Sequence, residues 1–434
     1  MTPTTTKGPR IARSPRKRRS VESVKSVARA SSLGTTNGFA NLDGLGDRIP
    51  GPGGDQYPTS PLGEKVKGIP TGRDVEWEPL VDYRRFGVSE TTIHGAVAWA
   101  HGRKVIHSFG GNVLCYGRSM MKPLVMKVFA DELAGAKWEQ KAIAVSSHNG
   151  DTEHVAAAQS LLHETEWGLM QAPLELPLVP FGRTVRRPRR WYHPCSGEHA
   201  AILAGCKAKG WPRIGYLLPQ HPWFQAYMDE VRSILGKDWE PTRIARDGCG
   251  TPTLSNTVSE LAVLYAELAR TKDDDWIWEA FIKNPDLVGG FNRLDTTILK
   301  SCDGKVVAKE GADGLLGLSI VHPDYPDGLG VVVKIAHGWN PRATWYVARA
   351  ILGVLGFRLR NPYPLHKQKA FIVPGVVPPD RVKDLEAIAT WDEWDPDMDR
   401  WYYEWEEYVG SQPLMRGYSD DEPNRDSGEN GEAG

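Results

Sequence analysis

Three short motifs with reactive side chains follow one another along this chain. They are Ser119-Met120-Met121-Lys122, Ser147-His148-Asn149 and Lys309-Glu310-Gly311. On a helix, residues three apart share a face, so the Lys122 amine can lie beside the Ser119 hydroxyl. Burial disfavours the ammonium form of a lysine, and a neutral amine can take the proton of a serine. The first motif therefore predicts a serine nucleophile activated by a lysine, which is chemistry suited to cleaving an amide bond.

The other two motifs add a second hydroxyl and a second amine. Ser147 stands at the tip of a predicted turn, while Lys309 can place an ammonium against Ser147 or against a substrate carboxylate. A histidine beside a turn, such as His148, is more often a hydrogen-bonded structural group than a catalyst. Serine β-lactamases and penicillin-binding proteins carry their motifs in the same order. A second Ser-x-x-Lys match, Ser14-Pro15-Arg16-Lys17, lies in a segment without apolar periodicity and is not expected to hold its lysine in register.

The elements around these motifs follow from apolar spacing. Met120 to Leu133 has helical spacing, so Ser119 is expected to open a helix. The short apolar run Ala142 to Val145 is interpreted as a strand, which places Ser147 on a strand-to-helix turn. The helix that follows is predicted over Glu153 to Thr165, with Asp151 or Thr152 as its N-cap.

Strands are predicted near both ends of the folded region and helices in its middle. The strands are Ile93 to Trp99, Lys104 to Phe109, Lys305 to Ala308, Leu315 to Ile320 and Gly330 to Ile335; the further helices are Gly197 to Lys207, Pro222 to Leu235, Ser255 to Ala269, Trp276 to Lys283 and Arg342 to Leu355. This order predicts an α+β fold, broadly of the α/β kind, with a mostly antiparallel sheet flanked by helices. It is the layout of the serine β-lactamase and penicillin-binding-protein class.

Composition limits the classes of partner. The chain has 434 residues, 25% of them charged, and a formal net charge of -1, so no global field attracts nucleic acid or acidic lipid. Its longest apolar stretch, Val347 to Phe357, is too short to span a membrane. Five cysteines are few and odd in number, which favours a reducing, cytoplasmic compartment over a disulfide framework.

Three regions are expected. Residues 1–70 are predicted to be a disordered basic arm, in which Arg16 to Arg19 could be a nuclear address, part of an organelle transit segment or a solvated tail. Residues 71–375 are predicted to form the catalytic domain. Residues 376–434 form an acidic aromatic extension that could pack on the body or serve a partner, and its end is expected to be disordered.

Two cysteines stand in separate loops with other metal-binding residue types nearby. Cys195 and Cys249 could supply two thiolates to a tetrahedral zinc ion, with Glu198 or His199 as a third donor and water as a fourth. No CxxC spacing supports a metal site. The alternative is a pair of buried structural thiols.

Many segments in order resemble the L-asparaginase II family, the rhizobial inducible type. The matching segments, from about Tyr83 to Leu355, are Gly117-Arg118-Ser119 to Lys122-Pro123, Ser147-His148-Asn149-Gly150 with Glu153-His154, Cys195-Ser196-Gly197 with His199, Asp247-Gly248-Cys249-Gly250-Thr251-Pro252, Val288-Gly289-Gly290, Arg293 with Asp295-Thr296, Lys309 with Gly311-Ala312-Asp313-Gly314, and Gly328-Leu329-Gly330 with Lys334. The resemblance implies hydrolysis of L-asparagine to L-aspartate and ammonia by a homodimer without an organic cofactor.

The resemblance also implies roles for single residues. Ser119 pairs with Lys122 and Ser147 with Lys309 as two catalytic Ser-Lys pairs; the substrate contacts implied are Arg118, His148, Asn149, Gly150, Arg293 and Gly311. In such relatives two cysteines and a lysine hold zinc, and Glu198 stands here at the lysine position. Two alternatives stay open: a penicillin-recognising serine acylase, meaning a D-amino-acid peptidase or β-lactamase-like enzyme, and a catalytically silent amino-acid-binding relative.

Overall fold

A long strand, β2 (Val88–His101), lies at the centre of the larger of two sheets. The structure, a computed structural model, describes residues 77–85, 87–176, 188–361 and 369–392. One edge of β2 pairs with a first strand along its N-terminal half and with a second along its C-terminal half, and its other edge pairs with a third strand. The strands are β1 (Glu78–Arg85), β3 (Lys104–Phe109), β7 (Val306–Gly311), β8 (Leu315–His322), β9 (Tyr325–Ile335) and β10 (Lys369–Ile372), in the order β10-β1-β2-β9-β8-β7, with β3 also on β2. All of these pairings are antiparallel.

The remaining elements cover this sheet and build the region around the motifs. A small sheet is formed by β4 (Leu114–Tyr116), β5 (Ile244–Arg246) and β6 (Pro252–Thr257), in the order β4-β6-β5. The helices are α1 (Lys122–Lys127), α2 (Trp138–Ala144), α3 (Thr152–Gln159), α4 (Ser196–Ala208), α5 (Pro222–Leu235), α6 (Val258–Arg270), α7 (Ile277–Lys283), α8 (Pro285–Val288), α9 (Leu294–Ser301), α10 (Pro341–Gly353) and α11 (Val382–Asp392), with 3₁₀ helices at Arg118–Met121, Glu164–Leu169, Arg190–Tyr192, Pro374–Val376 and Pro379–Arg381.

The large sheet separates two apolar cores because side chains alternate along each strand. Ala98 of β2 belongs to the core that includes α6, while Val97 and Trp99 belong to the core that includes α10. Helix α6 approaches the sheet very closely at Gly330 of β9. A Cβ at position 330 would lie 2.0 Å from the Ala262 carbonyl oxygen, so only glycine fits there.

The predicted fold class is confirmed, since the structure combines helices with open, mostly antiparallel sheets. The predicted strands Ile93 to Trp99 and Lys104 to Phe109 lie in β2 and β3, which pair with each other, and the predicted helix Pro222 to Leu235 has the same bounds as α5. Asp151 is the N-cap residue of α3, as predicted. The helix predicted from Ser255 instead begins at Val258, because the residues before it pair with β4 and β5 as strand β6.

Three predictions near the reactive motifs were wrong, and one of them is the length of the helix after the Ser147 loop, which ends at Gln159 rather than Thr165. The helix that follows Ser119 ends at Lys127 rather than Leu133, and residues beyond it continue in turns with i to i+3 hydrogen bonds. Phe129 and Leu133 are still buried. The apolar spacing therefore predicted which residues are buried, but not that the helix continues through them. The run Ala142 to Val145 is the end of helix α2, not a strand. A short, fully buried run cannot distinguish helix from strand by its periodicity.

Some predicted regions lie outside the described residues. The basic arm 1–70 and residues 393–434 are among these. The beginning of the predicted C-terminal extension is described, and it packs on the body: Val376, Val377 and Leu385 are buried in the core that includes α10. Within the described residues, no helix is both long and apolar enough to cross a membrane.

Candidate active site

Ser119 lies on the 3₁₀ helix Arg118–Met121, immediately before α1. The backbone at Arg118 has a φ of 49°, a left-handed conformation that is uncommon outside glycine. This turn is held by β6, because the Arg118 N–H donates to Thr253 Oγ1 over 3.1 Å and the Gly117 N–H donates to a β6 carbonyl. Pro123 then pre-forms the first turn of α1. The strained turn therefore presents Ser119 at the start of a helix.

Lys122 connects the first motif to the second. Its buried amine donates to the Ser146 carbonyl and, over 3.2 Å, to Ser147 Oγ. It also lies 3.6 Å from a Glu198 carboxylate oxygen. Among the described residues, no hydrogen bond joins it to Ser119, whose Oγ lies 3.8 Å from Cys195 Sγ. The predicted activation of Ser119 by Lys122 therefore stays a prediction, and the contact seen is between Lys122 and Ser147.

The charge environment of Lys122 differs from the one expected. Burial lowers the pKa of this amine, but the Cys195 thiolate and the Glu198 carboxylate outweigh burial and leave the pKa above its usual value. Burial alone, which is all that the sequence indicates for this lysine, predicts a lowered pKa. The structure therefore favours an ammonium at Lys122 while its anionic neighbours are charged.

The loop that carries Ser147 is fastened by backbone and side-chain hydrogen bonds. His148 Nδ1 accepts from the Gly150 N–H over 3.0 Å, while its Nε2 lies 2.8 Å from Ser196 Oγ, which donates to a carbonyl. These contacts fit a neutral imidazole with its proton on Nε2, and burial lowers the pKa of His148 well below its usual value. His148 is therefore placed as a structural residue of the loop. Backbone bonds also join Ser147 N–H to Val288 O (2.8 Å) and Asn149 N–H to Gly289 O (3.0 Å).

Lys309 lies in β7 and is fully buried. Its amine donates to the Glu310 carbonyl over 2.7 Å and lies 3.6 Å from Asp295 Oδ2. Burial lowers the pKa of Lys309 to about 8. No hydrogen bond between Lys309 and Ser147 is present in the described part of the chain, so their predicted pairing also stays a prediction. A Cβ at Gly311 would lie 3.2 Å from Met120 Cγ, which shows that β7 approaches the Ser119 turn closely.

Two arginines stand at the site and both are paired with carboxylates. Arg118 Nε donates to Asp247 Oδ1 over 2.8 Å, and its guanidinium also contacts Asp313. Arg293 donates to Glu310 over 3.0 Å and to the side-chain oxygen of Asn149 over 3.4 Å. Arg293 thus joins the strand of Lys309 to the loop of Ser147.

The residues expected to bind a metal converge. Sγ of Cys195, a carboxylate oxygen of Glu198 and Sγ of Cys249 all lie within 4.8 Å of one another, and the three residues are buried. His199, the other candidate donor, instead places Nδ1 2.7 Å from the Tyr216 hydroxyl. Two thiols and a carboxylate are ordinary zinc donors. The structure therefore favours Glu198 over His199 as the third member of this cluster.

The acidities in this cluster differ between its members. A hydrogen bond from Cys249 lowers the pKa of Cys195 well below its usual value, with further help from the Lys122 charge. The same hydrogen bond and burial raise the pKa of Cys249. Burial raises the pKa of Glu198 to about 8. One thiolate therefore stands beside Lys122 and Ser119.

Three carboxylates in this region were not identified as site residues from the sequence. Asp247 and Asp313 hold the Arg118 side chain, and Asp295 lies beside Lys309. All three stand in segments that resemble the family. No motif spacing links any of them to a lysine or an arginine, so the sequence did not indicate a role for them. The structure identifies them because each contacts a cation of the site.

The chain was also compared with models of known protein families. A family model described as L-asparaginase II matches residues 81–374, which is more than half of the chain. No curated protein matches the chain. The matched residues include the Ser119 turn, the Ser147 loop, both cysteines of the cluster and Lys309. The chain belongs to the L-asparaginase II family and is an amidohydrolase of the asparaginase type.

Proposed function

We propose that the chain hydrolyses L-asparagine to L-aspartate and ammonia with Ser119 as nucleophile. The proposal rests on the hydrogen bond between the Lys122 amine and the Ser147 hydroxyl, in a chain of this family. Lys122 follows Ser119 by three residues. A serine needs a nearby proton acceptor before it attacks an amide. The amine of Lys122 is the basic group that the helix register brings to this turn.

In the proposed reaction, Ser119 Oγ attacks the side-chain amide carbon of the substrate. Its proton passes to the neutral form of the Lys122 amine, and Ser147, which contacts that amine, can relay it. This neutral form requires that Cys195 and Glu198 do not both carry charge, since their negative charges hold Lys122 as an ammonium. Lys122 then returns the proton to the departing nitrogen, and ammonia leaves as the C–N bond breaks. Water cleaves the resulting ester, which releases L-aspartate and restores the Ser119 hydroxyl. Lys309 contributes a positive charge next to these groups.

The proposed substrate contacts are those that the family resemblance implies, except His148, whose two ring nitrogens are used in hydrogen bonds that hold its loop. Arg118 and Arg293 present guanidinium groups near the Ser119 turn and the Ser147 loop, and a guanidinium is suited to a substrate carboxylate. Asn149, Gly150 and Gly311 would line the same space. Since both arginines already contact carboxylates, a bound substrate would have to share or replace these partners.

We also propose that Cys195, Glu198 and Cys249 hold a zinc ion. The mutual approach of their ligand atoms, their burial and their donor types fit this metal. A bound zinc ion would supply positive charge and Lewis acidity at the edge of the site. Glu198 also contacts Lys122, so it would connect the metal donors with the proton-carrying amine.

The proposed activity is tested by measuring ammonia release from L-asparagine, L-glutamine and other amides. We expect release from L-asparagine that Ser119→Ala abolishes, while the matched variant Ser233→Ala, at an exposed serine of α5, keeps it. Full activity in Ser119→Ala would contradict the mechanism. Acylation of Ser119 by a penicillin without ammonia release would favour the penicillin-recognising, β-lactamase-like alternative. Binding of an amino acid without turnover would favour the catalytically silent relative.

The family resemblance further supports a homodimer, and the five free cysteines fit a reducing, cytoplasmic compartment. Size-exclusion chromatography with light scattering tests the dimer directly. A monomer at the concentrations used for the activity assay would remove this part of the proposal.

A further inference from the structure

A buried ion pair joins Lys309 of the site to Asp295, a carboxylate that has no role in the proposed reaction. Asp295, in the first turn of α9, and Lys309, in β7, are both 0% exposed, and Asp295 Oδ2 lies 3.6 Å from the lysine amine. The other carboxylate oxygen, Oδ1, accepts a hydrogen bond from the Thr296 N–H over 2.9 Å. Oδ2 has no hydrogen-bond partner within the described residues. The ion pair with Lys309 is therefore the polar contact that the structure gives this oxygen.

Stability does not explain such a pair. Removing two charges from water is costly, and a buried pair is often no more stable than apolar residues of the same volume. A buried carboxylate oxygen without a hydrogen bond adds to that cost. A buried pair of this kind that also adjoins reactive groups is a candidate for a functional role.

Asp295 also contacts the segment that holds the Ser147 loop. A Cβ at Gly289 would lie 2.2 Å from Asp295 Oδ1, so the backbone at 289 rests directly on this carboxylate. Gly289 and the residue before it accept the backbone hydrogen bonds of Asn149 and Ser147. One carboxylate thus touches both Lys309 and the backbone that fixes the second reactive serine.

We propose that Asp295 is a positioning residue of this enzyme, whose carboxylate fixes Lys309 as an ammonium and holds it in register with the Ser147 loop. The inference rests on the proposed function, because it assigns Lys309 a charged role in that site. The charged groups that face Lys309 are Asp295, Glu310 and Glu198, whose negative charges favour its ammonium form, and Lys122 and Arg293, which oppose it. Asp295 is the strongest of the favourable groups.

The test compares Asp295→Asn with Asp286→Asn, a matched variant at an exposed aspartate of α8. Activity on L-asparagine is measured from pH 6 to pH 10, roughly the range over which a lysine with a pKa near 8 titrates. We expect Asp295→Asn to lower kcat by about 10- to 100-fold and to move the alkaline limb of the kcat profile down by about 1 to 3 pH units. Asp286→Asn should keep the wild-type profile. An unchanged profile and kcat in Asp295→Asn would overturn the inference.

A second variant separates charge from position. Asp295→Glu keeps the charge but pushes the carboxylate one methylene further towards Gly289, so we expect a reduced kcat with the alkaline limb unmoved. Wild-type kcat in Asp295→Glu would contradict a positioning role. If neither variant folds by circular dichroism, Asp295 is required for folding and the inference is withdrawn. A wild-type protein without asparaginase activity would instead remove the proposed function itself.

Discussion

The Lys122 amine lies 3.2 Å from the Ser147 hydroxyl, so the lysine of the first motif contacts the serine of the second. The family resemblance implies one lysine for each serine. In the structure, the buried amine of Lys122, one turn after Ser119, donates hydrogen bonds to the Ser147 loop. The second amine, that of Lys309, is paired with Asp295. The proton transfer that we propose therefore depends on Lys122 more than on a pair of independent Ser-Lys units.

Replacing Lys122 with methionine should remove most of the activity. The methionine side chain fills a similar volume but cannot accept or return a proton, so we expect kcat to fall by about 10²- to 10⁴-fold. Ammonia release under saturating L-asparagine measures this loss. Lys141→Met is the matched control, because Lys141 is also largely buried but its amine contacts the Ala134 carbonyl away from the site. Similar kcat values for the two variants would refute the role of Lys122.

Purified protein should contain close to one equivalent of zinc, which inductively coupled plasma mass spectrometry can measure. The double variant Cys195→Ala/Cys249→Ala should lose the metal, since two of the three donors are gone. Cys206→Ala removes another buried cysteine, from α4, and should keep it. Purified wild-type protein that contains no metal would contradict the zinc proposal.

A chelator should also lower the melting temperature of the wild-type protein but not that of the double cysteine variant. A metal that binds only the folded state stabilises it by about 2.7 kcal/mol when the free metal concentration is 100 times the dissociation constant. Scanning calorimetry with and without chelator gives the difference. An equal decrease in the melting temperature of both proteins would mean that the chelated metal binds residues other than Cys195 and Cys249.

The sequence predicted the elements of the fold better than it predicted the contacts of the site. Helix spacing placed Ser119 correctly before a helix, because an apolar face and Pro123 are local signals. The partner of Lys122 could not be predicted, since helical register sets the face of a side chain but not which distant loop packs against it. Asp295 was not identified because its contact with Lys309 joins a helix and a strand with no shared spacing.

Acid should destabilise the folded protein through its buried histidines. Burial lowers the pKa of His148 and of His154, which stacks on it, and both rings use their two nitrogens in hydrogen bonds. Below the unfolded pKa of about 6.5 the unfolded chain binds protons that the folded chain does not, so stability falls as the pH decreases. Each ring should contribute at most about 1.4 kcal/mol per pH unit.

Urea unfolding at several pH values between 5 and 7.5, roughly spanning the histidine range, measures this slope. We expect the slope to become shallower in His148→Gln, which removes one of the titrating rings. The exposed His337 provides the matched variant His337→Gln, which should keep the wild-type slope. A slope that is equal in both variants would mean that other groups cause the acid sensitivity.

The close approach of α6 to the large sheet makes Gly330 a sensitive position. In Gly330→Ala the new methyl group would lie 2.0 Å from the Ala262 carbonyl oxygen, a backbone atom that can move only if the helix moves. Overpacking of this kind costs about 1 to 3 kcal/mol in the free energy of unfolding. Gly135→Ala is the matched control, because its Cβ would have no neighbour within 4 Å, and it should change stability by less than about 0.5 kcal/mol. Urea unfolding compares the two variants. If Gly330→Ala were as stable as Gly135→Ala, the helix could not rest on β9 at the distance that the structure shows, and the packing that supports β7 and Lys309 from the neighbouring strands would need revision.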